Sequence, residues 1–197
     1  MDDGVIKFQL DWQEGSAPDF QEMIELMHWR DRMYDLGLIG YDEQHQVGYG
    51  NISILPDRLP GFVISGTQTG HISRLGAEHY TRVTKYNIAD NHLTCRGPVK
   101  ASSESLTHAA IYEASPQIRA VIHIHHDVQW EAWLGEVPTT SAEVPYGTPE
   151  MAAEIHRLFR EHKSKPEVIA MAGHQGGLIS FGTNLEEAAR PFLKVFA

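Results

Sequence analysis

Cysteine is nearly absent: the 197 residues include one, Cys95, which has no internal partner for a disulfide. Long apolar runs are missing as well. None approaches the roughly 18 to 20 residues that span a bilayer, so no membrane-crossing helix is expected. Basic residues are scarce, with 16 Lys and Arg against 26 Asp and Glu and a formal charge of −10 when histidine is neutral. A balance this acidic repels phosphate backbones and anionic lipid headgroups over most of the surface, which excludes nucleic acid and membranes as expected partners. The start, Met1-Asp2-Asp3-Gly4, lacks the positive region and apolar stretch of a signal peptide, and a cytoplasmic location is expected. Without repeats, low-complexity tracts or a linker, residues 1–197 read as one domain, long enough to bury a single good core. Against these absences stands one excess. Twelve histidines carry the side chain that both binds transition metals and titrates near neutral pH.

Hydrophobic spacing outlines the elements. Residues 19–37 place Phe20, Met23, Ile24, Leu26, Met27, Met33 and Leu36 at helical period and end at Gly37 and Gly40. Gly48–Ile54 runs from turn glycines into alternation, and Gly61–Ser65 reads as its antiparallel neighbour across a Pro-Asp turn. Residues 78–85 suit helix and strand equally, and 87–94 allow a further short strand. Ser105–Ala114 reads as a helix stopped by Ser115-Pro116, and Ala120–His125 as a short β-rich strand. A helix over Pro149–His162, strands at Val168–Met171 and Gly177–Phe181, and a closing helix over Leu185–Phe196 follow. Strands and helices are mixed, without strict βαβ alternation.

The strongest chemical signal is Val121-Ile122-His123-Ile124-His125-His126, because residues two apart on a strand share a face and His123 and His125 project side by side. That spacing suits two ligands of one metal. The glycine-flanked His174, in Gly173-His174-Gln175-Gly176-Gly177, is the best candidate for a third; three nitrogens and an open position describe a catalytic zinc site. The plainer reading is two ordinary strand histidines. A second signal is Lys100-Ala101-Ser102-Ser103-Glu104, where serine hydroxyls and unpaired first-turn N–H groups suit an anion, with Glu104 beside it. A simple helix cap explains the same residues. Gly50-Asn51-Ile52-Ser53 and Ser65-Gly66-Thr67-Gln68-Thr69-Gly70 expose backbone N–H and small polar groups to an anion, or serve as hairpin turns.

Taken in order, G-N-I-S, S-G-T-Q-T-G, S-S-E, A-V-I-H-I-H and G-H-x-x-G resemble the class II aldolase/adducin family, from about Phe20 to Val195. His108-Ala109-Ala110-Ile111-Tyr112 followed by Pro116, and Val144-Pro145-Tyr146-Gly147-Thr148-Pro149-Glu150, are similar to further stretches of the family. The resemblance implies a three-layer α/β/α sandwich with a central mixed, mostly antiparallel sheet, usually assembled as a homotetramer with the active site at a subunit boundary. It implies Zn2+ or another divalent metal on His123, His125 and His174, and Glu104 as the catalytic carboxylate. Phosphate binding falls to Gly50 and Asn51, Thr69 and Gly70, and Ser102 and Ser103, with Thr67 an alternative to Thr69 because this turn is one residue longer than the family's usual one. The implied activity is that of a metal-dependent lyase acting on a small sugar phosphate or related hydroxy-carbonyl compound through an enediolate. Epimerisation and dehydration use the same parts. An adducin-like interaction module is the rival from another class, but such modules have lost the ligands that this chain keeps. Departures accompany the likeness: Asp127–Glu143 is shorter than in the aldolases and holds Trp130 and Trp133 but no tyrosine, and the longer C-terminal tail that supplies a second tyrosine is not found by Ala197. A standard aldolase of the family is therefore not expected. Tyr146 and Tyr49 are the available substitutes, Trp130 and Trp133 are expected at a subunit contact or in the core, and His126 is expected to be structural.

Overall fold

The computed structural model describes residues 5–57, 59–162 and 167–197; Met1–Gly4, read above for a targeting signal, lie outside the described residues. In chain order the elements are β1 (Gln9–Glu14), α1 (Met23–Asp35), β2 (Gly40–Asp42), β3 (Val47–Tyr49), β4 (Asn51–Ile54) and β5 (Phe62–Ser65). A single 3-10 turn (Ala77–His79) leads to β6 (Tyr80–Asn87), β7 (His92–Gly97), α2 (Ser105–Ala114), β8 (Ala120–His125) and α3 (Asp127–Trp133). The rest are α4 (Pro149–Glu161), β9 (Val168–Ala170), β10 (Gly177–Gly182) and α5 (Leu185–Phe196).

Eight strands form one sheet in the order β1-β7-β6-β5-β4-β8-β10-β9, and β2 and β3 pair separately. Every neighbour in the large sheet is antiparallel except β1 against β7. The central strands β4, β5, β8 and β10 are buried on both faces, which is why β8 is apolar at every position except its two histidines instead of alternating. Val121 faces a core with Leu106, Ala109 and Ala110 of α2 and Met151, Ala152 and Ile155 of α4. Ile122 and Ile124 face the other way, into a second core with Leu26 and Met33 of α1 and Ala188 and Phe192 of α5. The result is the three-layer α/β/α sandwich with a mixed, mostly antiparallel sheet.

Local chemistry sets the ends that matter. Thr148 accepts from the Met151 N–H and Pro149 occupies the first turn of α4, while the Asn184 side chain accepts from the Glu187 N–H to start α5. The 48–65 hairpin forms as expected, with Ser53 opposite Ile64 and Ile54 opposite Val63. The ambiguous stretch at 78–85 resolves into the turn at 77–79 followed by strand. The next strand starts at His92, later than the 87–94 reading, because Ile88–Asn91 close the turn: the Asn91 N–H donates to the Ile88 carbonyl and Asn91 itself adopts φ 49°. Three elements carried no sequence expectation, the edge strand β1, the short strand β2 and the short helix α3. On α3, Trp130 and Trp133 are half-buried against the second core, and the Trp130 indole donates to the Met171 carbonyl at 3.0 Å. No helix among the described residues is long and apolar enough to cross a membrane.

Candidate metal centre and anion pocket

His123 and His125 lie on the α2/α4 face of β8, and β10 brings the third imidazole to them. The loop from Met171 to Gly177 is closed by its own backbone, the His174 N–H donating to the Met171 carbonyl and the Gly177 N–H to that of His174. A side chain at Gly173 would collide with the Val144 carbonyl, so glycine is what lets the loop sit this deep. The three rings then converge, with centroid separations of 4.9, 5.1 and 4.5 Å, and one nitrogen of each lies within 4.8 Å of the others. His123 is 1% exposed and His174 5%.

These residues fit a divalent metal on two counts. The His123 Nδ1–H donates to the Leu178 carbonyl at 3.1 Å, which leaves its Nε2 as a lone-pair donor. That Nε2 is 3.1 Å from the Nε2 of His125, close to the roughly 3.3 Å between two nitrogens on one tetrahedral zinc. Burial, followed by the proximity of His174 and His123, also holds His125 well below the ordinary imidazole range, and so in the neutral form a metal requires.

Glu104 precedes the first residue of α2 and its side chain does not cap the helix. The capping work is done elsewhere, the Ser102 hydroxyl accepting from the Glu104 N–H at 3.3 Å. The carboxylate, 2% exposed, instead turns to the centre, with Oε1 3.3 Å from His174 Nδ1. Burial alone would raise its pKa; contact with His174, then the His123 imidazole and the Thr107 hydroxyl, outweigh it and set the value at about 2.

The anion-binding candidates meet in one narrow hollow. Gly50, Asn51, Thr69, Gly70, Ser102 and Ser103 all line it with Glu104 and the three histidines, and Thr67 lines it too. Gly50 links β3 to β4 at φ 74°, where a Cβ would press to 2.8 Å from Ile39 Cγ1 and 3.0 Å from the His123 carbonyl. Asn51 is the register partner of His123, and its Oδ1 is buried without a hydrogen-bond partner among the described residues. Thr69 turns its hydroxyl onto the Gly66 carbonyl at 2.9 Å.

One contributor was not expected from sequence. Arg30, 1% exposed, reaches from α1 to donate to the carbonyls of Thr69 and Ser73 at 3.1 and 3.0 Å, fixing the turn that walls the hollow. Its signal was present: a charge on the apolar stripe of Met23, Leu26 and Met33. Tyr146 stacks on His174, with centroids 4.6 Å apart at 29°, while its hydroxyl accepts from the Val5 N–H. The Tyr49 hydroxyl donates to the Gly37 carbonyl at 3.4 Å. Both tyrosine hydroxyls thus have backbone partners. His126 caps α3, its Nδ1 accepting from the Gln129 N–H, and rests on Phe196.

A histidine trio, a buried carboxylate and a polar hollow thus gather at one end of the central strands of an α/β sandwich. The chain belongs to the family described as Class II Aldolase and Adducin N-terminal domain, which matches residues 32–133. A probable bifunctional methylthioribose-1-phosphate isomerase/methylthioribulose-1-phosphate dehydratase of Nocardia farcinica is 25% identical over 166 residues, covering 71% of this chain. This chain spans 28% of that relative's length. The L-fuculose-1-phosphate aldolase of Thermus thermophilus shares the fold with a TM-score of 0.60 at 20% identity, over 87% of this chain and 92% of that one. A sugar-phosphate aldolase from Thermotoga maritima does so with a TM-score of 0.61 at 16% identity, over 89% and 96% of the two chains.

Proposed function

We propose that this protein is a metal-dependent lyase acting on a small phosphorylated sugar, with His123, His125 and His174 as ligands and Glu104 as the base. The observation that carries the reading is convergence: three imidazoles and a buried carboxylate from three separate segments meet beside a hollow lined with uncharged donors. A divalent metal held by the three rings would supply a Lewis acid for the carbonyl and adjacent hydroxyl of the substrate. Asn51, Thr69, Ser102 and Ser103 hold the phosphate, with the backbone N–H groups at Gly50 and Gly70. Glu104, ionised at neutral pH, takes the proton of the hydroxyl on the β-carbon as the bond between the α- and β-carbons breaks and the β-carbon leaves as an aldehyde, and it returns that proton to the α-carbon of the remaining fragment. Tyr146 keeps the His174 ring in place by stacking. The two apolar layers share one sheet, which supports treating residues 1–197 as one domain, and the acidic surface suits a cytoplasmic enzyme.

Within the lyase class, water loss is the second reading. It is supported by the dehydratase relative. Metal-loaded protein screened against pentulose and hexulose phosphates, and scored separately for aldehyde release, epimerisation and water loss, tests both. Glu104→Gln should retain metal and fold while turnover drops by roughly two to four orders of magnitude. Turnover near that of the wild type in the variant would remove Glu104 from the chemistry.

A further inference from the structure

The candidate centre borders two hollows. Tyr49 and His125 line the anion hollow and also a second one, of about 210 Å³ against about 30 Å³ for the first. The two differ in charge. The first presents neutral hydroxyls and amides, and Glu104 is its carboxylate. The second is walled by Asp42, His126, Asp127 and Gln175. Asp42 is held ionised by His45, whose Nδ1 lies 2.6 Å from Oδ2, and by the N–H groups of Gln44 and His45, which donate to Oδ1. Asp127 is exposed and has no cation within ion-pair distance among the described residues. Gly176 ties it to the centre: a Cβ there would lie 2.8 Å from Asp127 Oδ1 and 3.4 Å from His125 Nδ1. The carboxylate therefore stands at the seam between a ligand imidazole and the larger hollow. The His126 Nδ1 accepts from the Gln129 N–H, and its ring lies on Phe196 at 4.7 Å.

We propose that the substrate spans both hollows, its phosphate in the first, and that Asp42 and Asp127 select a neutral, hydroxylated far end over an anionic one. The inference rests on the phosphorylated-substrate reading above. Hydroxyls on the far end donate to the Asp127 carboxylate and exchange hydrogen bonds with the Gln175 amide. A carboxylate or second phosphate placed there meets the like charge of Asp127, which pairs with no cation among the described residues while Asp42 keeps its His45 partner, and this is discrimination by repulsion.

Calorimetric titration of the metal-loaded protein decides the matter with ligands that do not turn over. Ribitol 5-phosphate and 5-phosphoribonate share a five-carbon chain and differ in a hydroxymethyl or carboxylate end; inorganic phosphate is the reference. The wild type should bind the neutral-ended compound at least tenfold more tightly. Asp42→Asn/Asp127→Asn, in which both amides keep the side-chain size, should cut that preference below threefold and leave the Kd of inorganic phosphate within twofold. Asp127→Asn alone should fall between, with an unchanged circular dichroism spectrum. A wild-type ratio near one, or a ratio that survives in the double variant, overturns the inference while leaving the phosphate reading standing. If neither inorganic phosphate nor either sugar phosphate binds, the phosphate reading itself fails.

Discussion

His108 sits one turn below Glu104 in α2, fully buried, with Nδ1 2.7 Å from the Ser53 hydroxyl, which also bonds the Tyr112 hydroxyl at 2.7 Å. Burial, reinforced by the nearby His123 imidazole, pushes its pKa from the ordinary 6.5 down to about 3. The unfolded chain therefore binds a proton near pH 6.5 that the native protein refuses until about pH 3, so stability is fully present above pH 6.5 and is lost as pH falls through that window. Each unit is worth about 1.4 kcal/mol, so His108 removes about 3 kcal/mol between pH 6.5 and 4.5 and about 5 by pH 3. That is comparable with the roughly 5 to 15 kcal/mol that holds a domain together. His108→Gln keeps a polar partner for Ser53 and does not titrate. Urea unfolding followed by tryptophan fluorescence, at fixed protein concentration with chelator present, should give a wild-type curve steeper by about 1.4 kcal/mol per pH unit below pH 6. A constant offset between the proteins carries no information, because the slope is the readout. Parallel curves from pH 7 to 4.5 would refute the reasoning, since His125 and Glu104 titrate in both.

Three further outcomes are expected. Elemental analysis of untagged protein should find about one zinc or similar ion per chain, absent from a His123→Ala/His125→Ala variant; stoichiometric metal in that variant would remove the two strand histidines from the ligand set. Arg30→Met should cost roughly 2 to 4 kcal/mol by urea titration, because the Thr69 and Ser73 carbonyls lose their donor, and should also weaken the thermal protection given by inorganic phosphate. Unaltered protection in the variant would separate Arg30 from the anion hollow. Light scattering at micromolar concentration should show a homotetramer; a 22.1 kDa monomer would dismiss the assembly.

Where a segment is buried, its residues announced its structure. β8 and α2 lie where spacing placed them, Ala120–His125 and Ser105–Ala114, because the β-branched run and the Ser115-Pro116 stop act locally. The two strand histidines were legible for the same reason, as period two puts them on one face whatever the rest of the chain does. His174 and Glu104 were legible as candidates alone, since 70 residues separate them and their 3.3 Å approach is a property of the sheet order. β1 escaped notice because five of its six residues are exposed and it pairs with a strand some 80 residues away, leaving no apolar pattern to read. The Asp42 and Asp127 walls of the larger hollow were illegible for a related reason: neither belongs to a motif, and what joins them is the docking of the small β2–β3 sheet beside His125.

Asn51 and His123 are Cα partners on neighbouring strands, so the distance from the anion hollow to the imidazole centre is written into main-chain hydrogen bonds. Side-chain replacement cannot lengthen it. On the proposed reading, the sheet is a gauge that measures how many atoms separate phosphate from carbonyl, and a compound one carbon too long or too short misses one end. Divergence toward a new substrate is then confined to the side away from the gauge, where the turn after β2 and the first residues of α3 can change without disturbing the ladder.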